Sequence, residues 1–226
     1  MLIVKSKRKK TRIKLIITAV LLIAGAAVAV FINIQQRGMN AMETGEFLPG
    51  VYALNNGFVN CFLIKNGDKY IAVDAGSGAN DVQKELDKLG VSAGEITAVL
   101  MTHTHGDHTG ALKLFNGAVI YGVNPNIAGR VIADGEEFNI DGTEVKVIAA
   151  PGHADDSVCY LINGKYLFTG DNLSLNGDTV GMFNSVYNKS DEQQKLDIKK
   201  LSSINGVEYL ITSHYGYTAN PKFPAY

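Results

Sequence analysis

Residues 101–110 read MTHTHGDHTG, and His103, His105 and His108 there are three of only five histidines in the chain. Asp107 stands directly before the third. The other two histidines, His153 and His214, each follow an apolar run that reads as a strand, VKVIAAPG and EYLITS, and Asp171 follows KYLFTG in the same way. Imidazoles and carboxylates at several strand ends point to one site. An extended chain puts the His103 and His105 rings on one side. Gly106 allows a turn that aims Asp107 and His108 at a second point. Imidazole nitrogen binds zinc at ~2.0–2.1 Å, and carboxylate oxygen is a further ligand. A mixed set of this kind, with a carboxylate to bridge, suits two neighbouring metal ions.

Strands must carry these residues and turns must gather them. The domain opens with VYAL, FVNCFLIK and KYIAVDAG, runs rich in β-branched and aromatic residues parted by Asn-Asn-Gly and Asn-Gly-Asp. A helix is predicted next, with Asn80 or Asp81 as cap, Val82, Leu86 and Leu89 on one face and Gly90 as its stop. ITAVLMTH reads as a buried strand leading into the histidines, and ALKLF as helical. AVIYG, EVKVIAA, SVCYLING and KYLFTGD follow as strands. Residues 190–203 predict a helix capped by Ser190 with Leu196, Ile198 and Leu201 apolar, and VEYLITSH closes the series. A run of strands, then strands alternating with helices, gives a mixed, layered α/β domain with two sheets. Cys61 and Cys159 sit in apolar runs and are expected as buried thiols, with a disulfide as the alternative outside the cytoplasm.

Ahead of the domain, residues 15–34, LIITAVLLIAGAAVAVFINI, carry no charge. A helix of this length spans a hydrocarbon core of ~30 Å at ~1.5 Å per residue. Lys5, Lys7, Arg8, Lys9, Lys10, Arg12 and Lys14 precede it with no acid among them, and Arg37 alone follows closely. The expectation is a basic cytoplasmic tail over 1–14, a single-pass anchor over 15–34 in the cell membrane, a linker over 35–48 and a domain over 49–226 outside. Secretion after cleavage at Ala27-Val28-Ala29 is the alternative. Of 21 basic and 22 acidic residues, seven basic ones precede the anchor, which leaves 14 against 22, a net of −8. That balance argues against nucleic-acid binding, which needs a basic footprint.

HTHGDH, residues 103–108, matches the His-x-His-x-Asp-His signature of the metallo-β-lactamase fold superfamily, and the rest of the chain resembles that family in order. IAVDAG with Asp74 is similar to the strand ahead of the signature, APGH (150–153) to its second motif and FTGD (168–171) to its bridging-aspartate motif. His214 falls where the last ligand is expected. The resemblance covers residues 50–216 and implies a four-layer αββα sandwich with the site at one edge between the sheets. It implies that His103, His105 and His153 hold one metal, that Asp107, His108 and His214 hold the other, that Asp171 bridges them and that Asp74 steadies the ligand loop. Two departures stand out. Many members carry Thr-Pro-Gly after the second-motif histidine, where this chain has Ala154-Asp155-Asp156, so the supporting role of that hydroxyl is unassigned. The common dizinc β-lactamases place a cysteine where Asp171 stands, and the aspartate is more similar to glyoxalase II, lactonase and general hydrolase branches. His105 argues against the diiron branch.

The function this implies is a membrane-anchored hydrolase in which two Zn²⁺ ions generate hydroxide near neutral pH to attack an ester, thioester or lactone, with Asp107 and Asp171 orienting the nucleophile and relaying its proton. The partners expected are a small-molecule substrate and, through residues 15–34, the membrane. No GxSxG motif is present, and Ser77 in DAGSG reads as a turn residue. Hydrolysis of β-lactams is a second reading. A metal-binding or partner-binding module without catalysis is a third, opposed by the full ligand set.

Overall fold

The computed structural model describes the backbone of residues 2–35 and 38–226, with side chains for 14–30 and 38–226. It divides into two units, residues 1–38 and 39–226. In the first, α1 (Leu2–Gln35) is one unbroken helix, and its described side chains, 14–30, are all exposed. Among the described residues no helix is long and apolar enough to cross a membrane. The expected span over 15–34 runs past the described side chains at residues 31–34, and those of residues 1–13 of the basic tail also lie outside them.

The second unit is a two-sheet sandwich. One sheet has seven strands in sequence order: β1 (Gly45–Leu48), β2 (Val51–Asn55), β3 (Asn60–Asn66), β4 (Lys69–Val73), β5 (Ile96–Leu100), β6 (Val119–Gly122) and β7 (Arg130–Val131). β1 to β4 pair antiparallel, and β4 to β7 pair parallel. The second sheet contains β8 (Glu137–Ile140), β9 (Thr143–Ala149), β10 (Val158–Ile162), β11 (Tyr166–Phe168), β14 (Tyr209–Ile211) and β15 (Tyr217–Thr218). Its order is β15-β14-β11-β10-β9-β8, and β12 (Ser174–Asn176) pairs with β13 (Thr179–Gly181) apart from it. Three short helices complete the unit: α2 (Ala79–Leu89), α3 (Gly106–Thr109) and α4 (Asp191–Ser202).

Period-two alternation explains the layering. In β3, Phe62 and Ile64 face the space between the sheets, while Cys61 and Leu63 face outward onto α2 with Val82 and Leu86. In β10, Val158, Tyr160 and Ile162 join the same inner core, while Cys159 and Leu161 face the opposite way, with Ile198 and Leu201 of α4. Each fully buried large apolar side chain contributes about 1.5–3 kcal/mol. The result is the four-layer αββα arrangement expected. It also settles the cysteines: they lie on opposite outer faces of the sandwich, both free and buried.

Four expectations need correction. Residues 39–48 are not linker. Asn40 N donates to the His214 carbonyl at 2.7 Å, and Gly45–Leu48 form the edge strand of the first sheet. The strand is four residues long, with an irregular register between Glu46 and Leu48 and one buried side chain, so it shows no periodicity. The start of α2 is capped by Gly78, not by Asn80 or Asp81, though Gly90 ends it in the left-handed region as read. ALKLF makes only a 3₁₀ turn, over Leu112–Phe115. In α4, Ser190 caps as read, its hydroxyl accepting from Gln193 N, but Leu196 is exposed, and the buried side chains are Gln194, Asp197, Ile198 and Leu201.

Candidate metal centre

The ligand-bearing segments gather at one rim of the sandwich. Beyond β5 the chain stays extended to His105 (φ −64°, ψ 153°), then turns through the single helical turn α3. That turn is held from below. Ala75 N donates to the His108 carbonyl at 2.7 Å, and Gly110 N to the Gly76 carbonyl at 2.8 Å. The approach is so close that a Cβ on Gly110 would sit 2.1 Å from the Ser77 carbonyl oxygen. His153 follows β9, Asp171 follows β11 and His214 follows β14.

Two clusters result. One offers ligand atoms from His103, His105, His153 and Asp171, the other from Asp107, His108, Asp171 and His214, and within each cluster these atoms lie within 4.8 Å of one another. Asp171 belongs to both through different oxygens. Its Oδ2 is 3.6 Å from His153 Nε2 and 3.9 Å from His103 Nε2. Its Oδ1 is 3.3 Å from His108 Nε2 and 3.2 Å from His214 Nε2. Asp107 Oδ2 lies 3.4 Å from His214 Nε2 and 3.8 Å from His108 Nε2. Every residue singled out in the sequence is brought to this rim. His105 is exposed and Asp107 half-buried, and the remaining five are buried.

The imidazoles are oriented from behind. His108 Nδ1 donates to Asp74 Oδ2 at 2.8 Å, and His214 Nδ1 to the Phe58 carbonyl at 2.7 Å. The Thr102 hydroxyl gives its proton to Asp74 Oδ2 at 2.8 Å, so at 3.1 Å it accepts from His103 Nδ1. Asp74 Oδ1 also accepts from Thr102 N at 2.8 Å. With each Nδ1 engaged, Nε2 points into the site. Nε2 of His103, His108 and His214 and Oδ1 of Asp171 are buried with no hydrogen-bond partner among the described residues. Buried polar atoms are rarely left so, and a shared ligand answers the need of all four.

The electrostatics favour the same ligand. Burial keeps His103 well below the ordinary imidazole range and lowers His153, so both present neutral nitrogens. At His108 burial opposes protonation, but Asp171 and Asp74 overcome it and hold the group well above that range. At His214 burial also opposes, and Asp171 and Asp107 push it up to about 9. Burial acts to raise Asp171, but His214 and His108 draw it well below the carboxylate range. The second cluster thus draws positive charge, while the first offers neutral imidazole lone pairs. Imidazole nitrogens with carboxylate oxygens fit a divalent ion of the zinc class.

The fold is shared with solved structures. The subclass B3 metallo-β-lactamase BJP-1 of Bradyrhizobium japonicum superposes with a TM-score of 0.62 at 18% identity, over 80% of this chain and 81% of that one. Residues 54–123, which include His103, His105, Asp107 and His108, match the metallo-beta-lactamase superfamily domain. Over these residues the chain belongs to the metallo-β-lactamase superfamily. Among curated members, it is 35% identical over 129 residues to lactamase-like protein adaB of Aspergillus niger, covering 54% of this chain and 41% of that protein. It is 29% identical over 155 residues to atrochrysone carboxyl ACP thioesterase dmxR1 of a Cryptosporiopsis species, covering 65% and 48%. This superfamily member therefore spans less than half the length of these two curated relatives.

Several supporting residues escaped the sequence reading. Thr102 was findable, since it directly precedes His103. Phe58 sits in the Asn-Asn-Gly-Phe turn after β2, read only as a hairpin, yet its carbonyl orients His214 and its ring stacks on that imidazole at 5.6 Å and 8°. Asn56 anchors the turn, accepting from Ser77 N at 2.7 Å and from the Ser77 hydroxyl, which leaves Ser77 a turn residue as expected. Asn188, beside His153, had no signal at all.

Proposed function

We propose that this chain is a metal-dependent hydrolase of ester, thioester or lactone bonds, with two Zn²⁺ ions held at the two clusters and a membrane anchor over residues 15–34. The observation that carries it is the set of four buried ligand atoms that make no hydrogen bond outside the site, three of them on imidazoles whose tautomer is fixed from behind. Ions bound there supply Lewis acidity to polarise a carbonyl oxygen and to bring the pKa of water near neutrality. The chain's own groups do the rest. Asp107 keeps its pKa below the usual carboxylate value: burial opposes this, but His214 and His108 prevail. It is ionised at neutral pH and half-exposed at the mouth, placed to take a proton from the attacking group and return it to the leaving group. Asp171 is buried between the clusters and fixes their separation. Ser77 is bound to Asn56 and both thiols lie in the outer layers, so none of these three serves as a nucleophile there.

An aromatic wall supports an apolar acyl group on the substrate. The Phe183 ring is 4.9 Å from that of His153 and 5.5 Å from that of His214, and Tyr215 packs on Phe183 at 5.9 Å. Phe58, 38% exposed, and Tyr187, 43% exposed, flank them. The names of the thioesterase relatives agree with a thioester within this class. The anchor is supported by the uncharged stretch and its basic flank. Its test is recovery of the chain in a membrane pellet that resists carbonate; release into the wash would count against it.

The full chain, loaded with zinc, should be offered a lactone, a thioester, a simple ester, a β-lactam and a phosphodiester, with His105→Ala as control. Hydrolysis of the ester-like substrates, lost in the control together with metal, is expected. Turnover of the β-lactam alone would favour that chemistry instead. Turnover of none, with two zinc ions bound, would defeat the ester-hydrolase reading.

A further inference from the structure

His153 is the one buried ligand histidine whose orientation no motif explains, because Ala154 puts no hydroxyl beside it. We propose that Asn188, locked by Gln194, is the positioning residue for His153. Asn188 Oδ1 lies 3.2 Å from His153 Nδ1. Its Nδ2 is ringed by acceptors: Gln194 Oε1 and Asp191 Oδ1 at 2.8 Å each and the Phe183 carbonyl at 3.2 Å. Three acceptors around Nδ2 fix which end of the amide is nitrogen, so the end facing His153 is oxygen and can only accept. His153 Nδ1 is therefore the donor, and Nε2 carries the lone pair toward the first cluster. Gln194 completes a reciprocal amide pair, its Nε2 donating to the same Asn188 Oδ1 at 3.0 Å, and it is fully buried. Backbone bonds hold the segment in register: Lys189 N donates to the His153 carbonyl and Ser190 N to the Gly152 carbonyl, both at 3.0 Å. The Lys189 ammonium meets Asp155 outside. A Cβ on Gly152 would sit 2.5 Å from the Gln194 backbone, so only glycine lets α4 come this near. A residue 35 positions downstream thus takes the supporting role that the departure at Ala154 leaves open.

This assignment rests on the metal-centre reading, and the test separates the two. Zinc affinity of the full chain is measured by competition with a chromophoric chelator. The wild type should bind two ions. Asn188→Ala should weaken one by roughly 10–100-fold, as loss of a partner behind a ligand does, and leave the other at its wild-type affinity. Asn188→Asp keeps the acceptor toward His153 but sets its second oxygen against the Asp191, Gln194 and Phe183 acceptors, so it should recover only part of the loss. Wild-type affinity at both positions in Asn188→Ala would overturn the proposal while the metal centre stood, and equal weakening of both would overturn the link to His153. A wild type that bound no zinc would bring down the metal-centre reading, and this proposal with it. Should Asn188→Ala not fold, nitrogen-15 NMR of the wild-type histidines decides: His153 protonated at Nδ1 supports the assignment, and protonated at Nε2 alone overturns it.

Discussion

Replacing Asp74 with asparagine changes one heavy atom and almost no shape. Asp74 is buried and accepts three hydrogen bonds of 2.8 Å, from Thr102 N, the Thr102 hydroxyl and His108 Nδ1. It sits at φ 60°, a conformation asparagine tolerates as readily as aspartate. In Asp74→Asn the amide oxygen can keep the bond from Thr102 N, which turns the NH₂ toward His108 Nδ1 and the Thr102 hydroxyl. His108 must then show a lone pair at Nδ1 and carry its proton on Nε2, where the ligand atom is needed. The Thr102 hydroxyl, now an acceptor from that NH₂, donates its hydrogen bond to His103 Nδ1 and drives that ring to the same wrong tautomer. Binding metal requires the reversal of both. For His108 the loss is one hydrogen bond to a charged group, about 1.5–3 kcal/mol, and for His103 one to a neutral hydroxyl, about 0.5–1.5 kcal/mol. That is roughly 10–150-fold in affinity at the position His108 serves and roughly 2–10-fold at the position His103 serves, at about 1.4 kcal/mol per tenfold. The metal-free protein keeps most of its bonds and should lose no more than about 1 kcal/mol. Zinc competition on the full chain and urea unfolding of the zinc-free form measure the two quantities. Wild-type zinc affinity in a folded Asp74→Asn protein would refute the claim that this carboxylate sets the tautomers. Asp74→Ala is the contrasting case, because it orphans the Thr102 N–H and should cost the zinc-free protein about 1–3 kcal/mol for that group alone.

Other consequences are more local. Gly110→Ala drives a methyl into the Ser77 backbone and should lower stability by about 1–3 kcal/mol or more in urea unfolding, although the backbone there is ordinary right-handed helix; an unchanged midpoint would show that the α3 contact yields freely. Ile198→Ala should cost about 2–5 kcal/mol, whereas Leu196→Ala, at a site 60% exposed, should be nearly neutral, and equal effects would contradict the helix face assigned here. Burial, and Asp74 after it, pushes the Cys61 thiol up to about 12, and burial also raises Cys159, so neither should react with a thiol reagent until the protein unfolds. The sign of the linkage is fixed: with a raised folded pKa, the contribution of Cys61 is intact below the ordinary thiol value of 9.0 and is lost as pH rises from there toward about 12. Urea midpoints on either side of pH 9.0 should show that fall, and it should shrink in Cys61→Ala.

How much of this was legible in the sequence differs between β10 and α4. In β10 every residue is apolar, the strand is buried on both faces, and composition alone marks it. The residues of the candidate metal centre were equally legible, because imidazoles after apolar runs are rare and their types declare their chemistry. β1 was hidden because four residues with a register shift and one buried side chain carry no period. The misreading of α4 has a different cause. Its apolar residues Leu196, Ile198 and Leu201 do not lie along one stripe, and the stripe it buries runs Gln194, Asp197, Ile198 and Leu201, half of it polar. Burying an amide and a carboxylate is unfavourable unless each finds partners. Here Gln194 pairs with Asn188, and Asp197 accepts from Gly152 N at 2.7 Å and from Gln193 Nε2 at 2.9 Å. Burial still holds the Asp197 pKa above the ordinary value. Both residues brace the loop that presents His153. A helix selected for packing alone would have put leucines at 194 and 197. Polar groups stand on its inward stripe because that stripe bonds the loop carrying His153, and a hydrophobic pattern is blind to such a bracing role.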